Sequence, residues 1–136
     1  MNQHKARIAK LSKIAKKVVD YAPLKAISIR QPWANMIANG IKTIETRTWS
    51  TKHRGPILIV SSKKPNIHPA GFAIAVAKLR DCRPMTKKDE DAAGCPKTEK
   101  AISWVLEDIK RINPVPVRGA QGVFSSHLTI KDIKFI

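Results

Sequence analysis

Apolar positions recur at helical spacing near the start of the chain: Ile8, Leu11, Ile14, Ala15, Val18 and Val19, with Lys5, Arg7, Lys10, Lys13, Lys16 and Lys17 between them. This pattern predicts an amphipathic helix that stops before Pro23, and it separates residues 1–22 from a domain over residues 23–136. The texture then changes to short apolar runs between turn signals. Residues 24–29 predict a strand ended by Gln31-Pro32, and Pro32 suits the first turn of a short helix over 33–39 that Gly40 closes. Residues 41–47 read as a strand or an extended loop. Gly55-Pro56 opens a strand over 57–61 whose unbroken apolar run predicts burial on both faces, and 72–79 is a further strand.

The second half is less regular. Residues 81–100 are polar and rich in turn formers, and Thr86 with Asp89 suggests the cap of a short helix. Residues 101–112 are ambiguous. Ile102, Val105, Leu106, Ile109 and Ile112 fit a helix, Ile102, Trp104 and Leu106 alternate like a strand, and the pattern slightly favours helix. Pro114 and Pro116 are expected to end the segment, 118–122 to form a loop and 123–130 a last strand. Many short strands with a few short helices predict a small barrel or a compact α+β domain.

Composition narrows the function. A chain of 136 residues fits one domain, and a hydrophobic content of 43% supports a packed core. Lys and Arg number 26 against 10 Asp and Glu, a formal charge of +16. Polyanions are the natural partner of such a surface, because neutralising phosphates releases condensed counterions. An anionic membrane surface competes for the same charge. No apolar run is long enough to span a bilayer and no signal-peptide core follows the first basic residues, so no membrane role is expected. Cys82 and Cys95 cannot build a disulfide framework, which points to a reduced, intracellular protein, cytoplasmic or nuclear/nucleoid-associated and not secreted. Four scattered histidines argue against a zinc site, and neither a metal nor a cofactor is expected.

The charge has two parts. Residues 1–22 carry six Lys/Arg and one Asp, a net +5, and the rest of the chain carries +11. The helix reads as a surface helix docked on the domain with its lysines in solvent, or as one that contacts phosphates or a protein partner. A membrane-surface helix ranks below both, since the segment lacks Trp and Phe.

The ordered series Ser28-Ile-Arg-Gln-Pro-Trp-Ala, Gly40-Ile-Lys-Thr-Ile-Glu-Thr-Arg and Trp49 to Gly55 with His53-Arg54-Gly55 resembles the ASCH family. The hallmark G-x-K-x-x-E-x-R falls on Gly40, Lys42, Glu45 and Arg47, and the flanking Gln31-Pro32-Trp33 is similar to the cointegrator-type branch. Ser61-Ser62-Lys63-Lys64-Pro65, the strand led by Gly71 and Pro116-Val-Arg-Gly extend the likeness over roughly residues 24–126. The resemblance implies a PUA-like fold, a small β-barrel with flanking short helices, here with an extra N-terminal helix. It also turns the preference for residues 103–111 to strand. It implies binding of DNA or RNA, or a small hydrolase acting on RNA or a modified nucleoside.

Lys42, Glu45 and Arg47 stand at i, i+3 and i+5. In an extended segment Glu45 and Arg47 share a face and Lys42 points to the other, whereas a bend after the helix brings all three to one cleft. Arg47 would then hold Glu45 ionised and leave Lys42 for an anion. Trp33 and Trp49 flank the motif and are candidates for stacking on a base; the alternative is that both cap the core and Glu45–Arg47 is a structural ion pair. Lys52, His53 and Arg54 at one end of the 57–61 strand and Lys63 and Lys64 on a loop at the other would, with Lys42, Arg47 and Arg118, make a phosphate-binding funnel, with Ser61 and Ser62 as further polar contacts. Solvated faces, strand-end capping and a backbone-held His53 are the structural alternatives.

If the protein is an enzyme, Lys42 and Glu45 are its catalytic candidates. The acetylcytidine amidohydrolases of the family carry a Thr three residues after the Lys, and here that place is held by Glu45. Their distant Glu has no single counterpart among Glu90, Glu99 and Glu107. A metal-independent ribonuclease would use Lys42 with His53 for 2′-hydroxyl activation and phosphate stabilisation. A binding module is the favoured reading.

Overall fold

The computed structural model describes residues 2–136, and of residues 17–19 only the backbone. Val18 and Val19 of the predicted apolar stripe, and the basic Lys17 beside them, therefore lie outside the described side chains.

The first helix, α1, spans Gln3–Tyr21 and begins where the Asn2 Oδ1 accepts the Lys5 N–H at 2.8 Å. Its length is as the periodicity predicts, but its placement is not that of a docked helix. Ile8, Leu11 and Ile14 stay 52%, 53% and 49% exposed. A 19-residue rod is about 28 Å long, and among the described residues its side chains up to Lys16 are exposed while its C-terminal end meets the body. There the Lys131 ammonium sits 5.0 Å from the centre of the Tyr21 ring, beside the 3-10 turn Ile130–Asp132.

The body is one curled, half-closed six-stranded sheet: β1 (Lys25–Ile29), β2 (Ile44–Arg47), β3 (Gly55–Ser61), β4 (Phe72–Pro84), β5 (Ile102–Pro116) and β6 (Val123–Ser125), in the order β2-β5-β4-β3-β1-β6. Only β1 and β3 run parallel, and the crossover between them carries α2 (Trp33–Ala38). The burial of β3 on both faces is as its unbroken apolar run predicts. Ile57 and Ile59 pack with Ile29, Ile37 and Trp104 under α2, while Leu58 and Val60 pack with Ala26, Ile112 and Val117 on the other side.

Several boundaries differ from expectation. The helical period of 101–112 gives way to the strand that the family resemblance implies for 103–111, because β5 is paired on both sides, by β4 and by β2, and ladder bonds outweigh a weak helical period. Pro114 does not end β5. It lies in a register irregularity between Arg111 and Val115, where no ladder N–H is required. A second irregularity puts Asp108, at φ 51°, opposite the span from Val76 to Lys78. β4 runs on to Pro84, well past the predicted end at 79. The last strand stops at Ser125, because the Ser126 hydroxyl turns back to donate to the Leu24 carbonyl at 2.7 Å.

Residues 86–94 follow the cap signal. The Asp89 carboxylate accepts the Thr86 N–H at 3.0 Å and the Ser103 hydroxyl at 3.0 Å, and pairs both Arg83 nitrogens at 2.6 and 2.9 Å. Bonds from Arg83 first, then the Thr86 amide, hold this carboxyl well below the usual range. The short α3 (Glu90–Ala93) then closes at Gly94. Among the described residues no helix is long and apolar enough to cross a membrane.

Candidate nucleic-acid interface

The site starts from the end of α2. Gly40 takes φ +76°, and the amides of both Ile41 and Lys42 fold back on the Met36 carbonyl at 2.9 and 3.1 Å. This bend precedes β2, and through it Lys42 reaches the side of the sheet occupied by Glu45 and Arg47. Lys42 is 2% exposed; its ammonium donates to the Ala93 carbonyl and lies 3.7 Å from Glu45 Oε1. Glu45 Oε2 accepts from Arg47 Nε at 3.1 Å, and an Arg47 terminal nitrogen donates to the Ser28 carbonyl at 2.9 Å. The hallmark residues thus form a continuous polar chain from α3 through β2 to β1. Its buried members are expensive to leave unpaired, so each locks the next.

The tryptophans divide between two roles. Trp104 is fully buried, its indole N–H donates to the Trp49 carbonyl at 3.0 Å, and its ring meets Trp49 edge-on with centroids 4.8 Å apart. Trp49 is 36% exposed and Trp33 43% exposed. The Arg47 guanidinium carbon stands 5.9 Å from the Trp49 ring centre.

Two adjoining depressions open here. The larger, about 1050 Å³, is lined by Trp49, Ser61, the end of β3 with Lys63 and Lys64, and the loop Val117–Gly122 with Arg118. The smaller, about 380 Å³, is lined by Trp33, Lys42, Glu45, Thr46 and Cys95. They share Ser28, Arg30, Arg47 and Ser62. Among the described residues no carboxylate lines the larger, and Glu45 is the single one in the smaller.

Topology explains this gathering of distant residues. Parallel pairing sets Ile29 opposite Ser61, so both strands end at the same edge and deliver Arg30 and Ser62–Lys63–Lys64 side by side. The Gly71 N–H donates to the Ser61 carbonyl at 2.7 Å and the Val117 N–H to the Gly71 carbonyl at 2.9 Å, which brings Arg118 to the same edge. A Cβ on Gly119 would come 3.2 Å from the Ser28 hydroxyl, so this loop lies tightly against β1. Ser61 is buried and its hydroxyl accepts from Gln31 Nε2 at 2.9 Å, while Gln31 Oε1 takes the Asn35 N–H at 3.1 Å. Ser61 therefore fastens the start of α2 to β3.

Trp33, Lys42, Glu45, Arg47, Trp49, Ser61, Lys63, Lys64 and Arg118 all line one depression or the other. His53 and Arg54 do not. They stand at the start of β3, opposite its Ser61 end, where His53 Nε2 meets the Pro56 carbonyl at 2.9 Å. Arg54 donates to the Thr51 and His53 carbonyls at 2.7 and 2.8 Å and lies 3.8 Å from Asp81. Sequence reasoning missed Arg30, although it lies inside the Ser28-Ile-Arg-Gln-Pro-Trp stretch. It also missed Cys95 and Gln121, for which no sequence signal pointed to this edge. Among the described residues no three His, Cys, Asp or Glu side chains gather as a metal site would need.

A curled, half-closed six-stranded sheet with a few short helices, α+β in class, defines the fold, and a basic groove opens at one edge of it. The chain belongs to the ASCH family, whose domain model matches residues 27–116. It is similar to "Activating signal cointegrator 1" of Homo sapiens, 33% identical over 80 residues covering 41% of this chain and 14% of that protein. The Mus musculus counterpart is 30% identical over the same extent. The chain thus matches only a small part of these relatives. Among solved structures, the ASCH protein of Zymomonas mobilis shares the fold with a TM-score of 0.55 at 19% identity, covering 76% of this chain and 87% of that one. A tyrosine-to-phenylalanine mutant of the same Zymomonas mobilis protein gives 0.58, again at 19% identity, over 76% and 89%.

Proposed function

We propose that this protein binds nucleic acid, DNA or RNA, in the groove formed by the two depressions. The observation that carries the reading is the larger depression, walled by Arg30, Lys63, Lys64 and Arg118 with no carboxylate among its lining residues. No hydrogen bond or ion pair within the described protein uses these four side chains, so their charge is available to phosphate. Lys42 serves in this reading as a strut, because its ammonium is directed to Glu45 and the Ala93 carbonyl. Arg47 orients the wall between the depressions. Residues 23–136 form the binding unit, α1 is an appended basic arm, and the protein works where nucleic acid is found, in cytoplasm, nucleus or nucleoid.

The hydrolase reading has less support. Its candidates Lys42 and Glu45 stand 3.7 Å apart, but both are committed within the polar chain, and the ribonuclease pair Lys42 and His53 lies apart, with His53 outside both depressions. The decisive test is a salt titration of oligonucleotide binding. Affinity is expected to fall steeply, by roughly one log-log unit per phosphate contact. Binding indifferent to salt overturns the proposal.

A further inference from the structure

Two depressions, each with its own exposed tryptophan, share one wall that contains two arginines. That arrangement suits something more particular than a phosphate backbone. We infer that the groove takes two successive nucleotides of a single strand, one base in the smaller depression against Trp33 and the next against Trp49 in the larger. This assignment rests on the nucleic-acid reading above.

Four observations combine. The first is division of the aromatics: Trp33 lines only the smaller depression and Trp49 only the larger, and both residues are partly exposed while Trp104 is buried in the core. The second is continuity, since Ser28, Arg30, Arg47 and Ser62 line both, placing two guanidinium groups where a linking phosphate would pass between two bases. The third is division of charge. Lys63, Lys64 and Arg118 line only the larger depression, which suits the onward backbone, whereas the carboxylate of Glu45 lines only the smaller. In the smaller depression Lys42 and Arg47 are both paired with Glu45, so apart from the shared Arg30 it offers a ligand the face of Trp33 rather than free cations, which favours a base over a backbone. The fourth is size: about 380 Å³ suits one base with part of its sugar, and about 1050 Å³ a whole nucleotide with neighbouring phosphates.

An indole can stack only on a base whose face is free, and a duplex offers such faces only at its ends. Discrimination against duplex follows directly. The rigidity of the site supports it, because Arg47 is held by Glu45 and by the Ser28 carbonyl before any ligand arrives.

The test uses the full chain and tryptophan fluorescence at one fixed salt concentration, followed by a salt titration of each probe that binds. The probes are a mononucleotide, a dinucleotide, an eight-nucleotide single strand and the same sequence closed in a hairpin duplex, each as DNA and as RNA. The single strand is expected to bind on the order of tenfold more tightly than the duplex. Trp49→Ala should weaken every probe, while Trp33→Ala should weaken the dinucleotide and single strand about tenfold and leave the mononucleotide within about twofold. Trp33→Phe, which keeps an aromatic face, should restore most of the loss and serves as the readout if Trp33→Ala does not fold. Equal affinity for duplex and single strand, or full affinity of a folded Trp33→Ala for the single strand, overturns the two-base assignment while leaving the nucleic-acid reading intact. Absence of salt-dependent binding to every probe overturns both.

Discussion

The groove and α1 are both rich in Lys and Arg, yet they hold their charge in opposite ways. On α1 six basic residues are spread along a rod whose described side chains from Asn2 to Lys16 are all exposed. In the groove, Arg30, Lys63, Lys64 and Arg118 converge on one concavity from three separate stretches of chain. The polar chain from Lys42 to Ser28 braces the floor beneath them. Convergence raises the local potential and costs little further ordering on binding; a rod attracts a polyanion only diffusely. Net charge alone assigns the two regions the same role. Curvature separates them.

The strongest way to break this contrast is to remove the brace. Lys42→Met leaves Glu45 buried with Arg47 as its one ionic partner, and is expected to cost about 3 kcal/mol of stability, read by denaturant unfolding. A variant of unchanged stability would show that the polar chain holds nothing in place. Next comes charge reversal. Lys63→Glu with Lys64→Glu should lower affinity for a short oligonucleotide on the order of 100-fold at low salt and reduce the log-log salt slope by about 2. Lys10→Glu with Lys13→Glu on α1 should change it by only about threefold, so equal losses would erase the distinction.

Asp89 provides a structural comparison outside the lining of both depressions. Asp89→Asn should cost about 2 kcal/mol at neutral pH, a value discounted because Arg83 is partly exposed. The folded-state pKa of Asp89 is lowered, so its contribution is fully present above the unfolded value of about 4 and fades as pH falls through the folded value. Stability curves of the two proteins should therefore converge in acid, and a constant gap down to about pH 2 would contradict the assignment. The smallest effect is expected from deleting residues 1–22. Melting should hardly change, since the described part of α1 meets the body only at its end, and oligonucleotide affinity should drop only a few-fold. A large fall in stability would mean that the helix is part of the folding unit.

The legible parts of the fold were those with a strong local signal. The helical period of α1, the double-sided burial of β3 and the turn after α2 follow from residue order alone. β5 was not legible by pattern, because its apolar spacing suits two periods and pairing with β2 and β4 chose between them. The fates of the three tryptophans were equally hidden. Trp104 lies opposite Glu45 in the β2–β5 register and is covered, whereas Trp33 and Trp49 flank the open edge. His53 and Arg54 were legibly at the opposite end of β3 from Lys63 and Lys64, yet only the structure leaves them outside the groove. A seven-residue strand separates its ends by about 20 Å.

Residue order alone thus specified a basic protein, a helical arm, a set of strands and a recognisable G-x-K-x-x-E-x-R segment. It could not specify which cations share a concavity, because Arg30, Lys63 and Arg118 are separated by long stretches of chain. Their meeting depends on β1 pairing parallel to β3 and on Gly71 linking Ser61 to Val117 through backbone bonds. Those are long-range contacts, formed only when burial of the whole sheet offsets the entropy of closing the chain between them, and no local pattern encodes them.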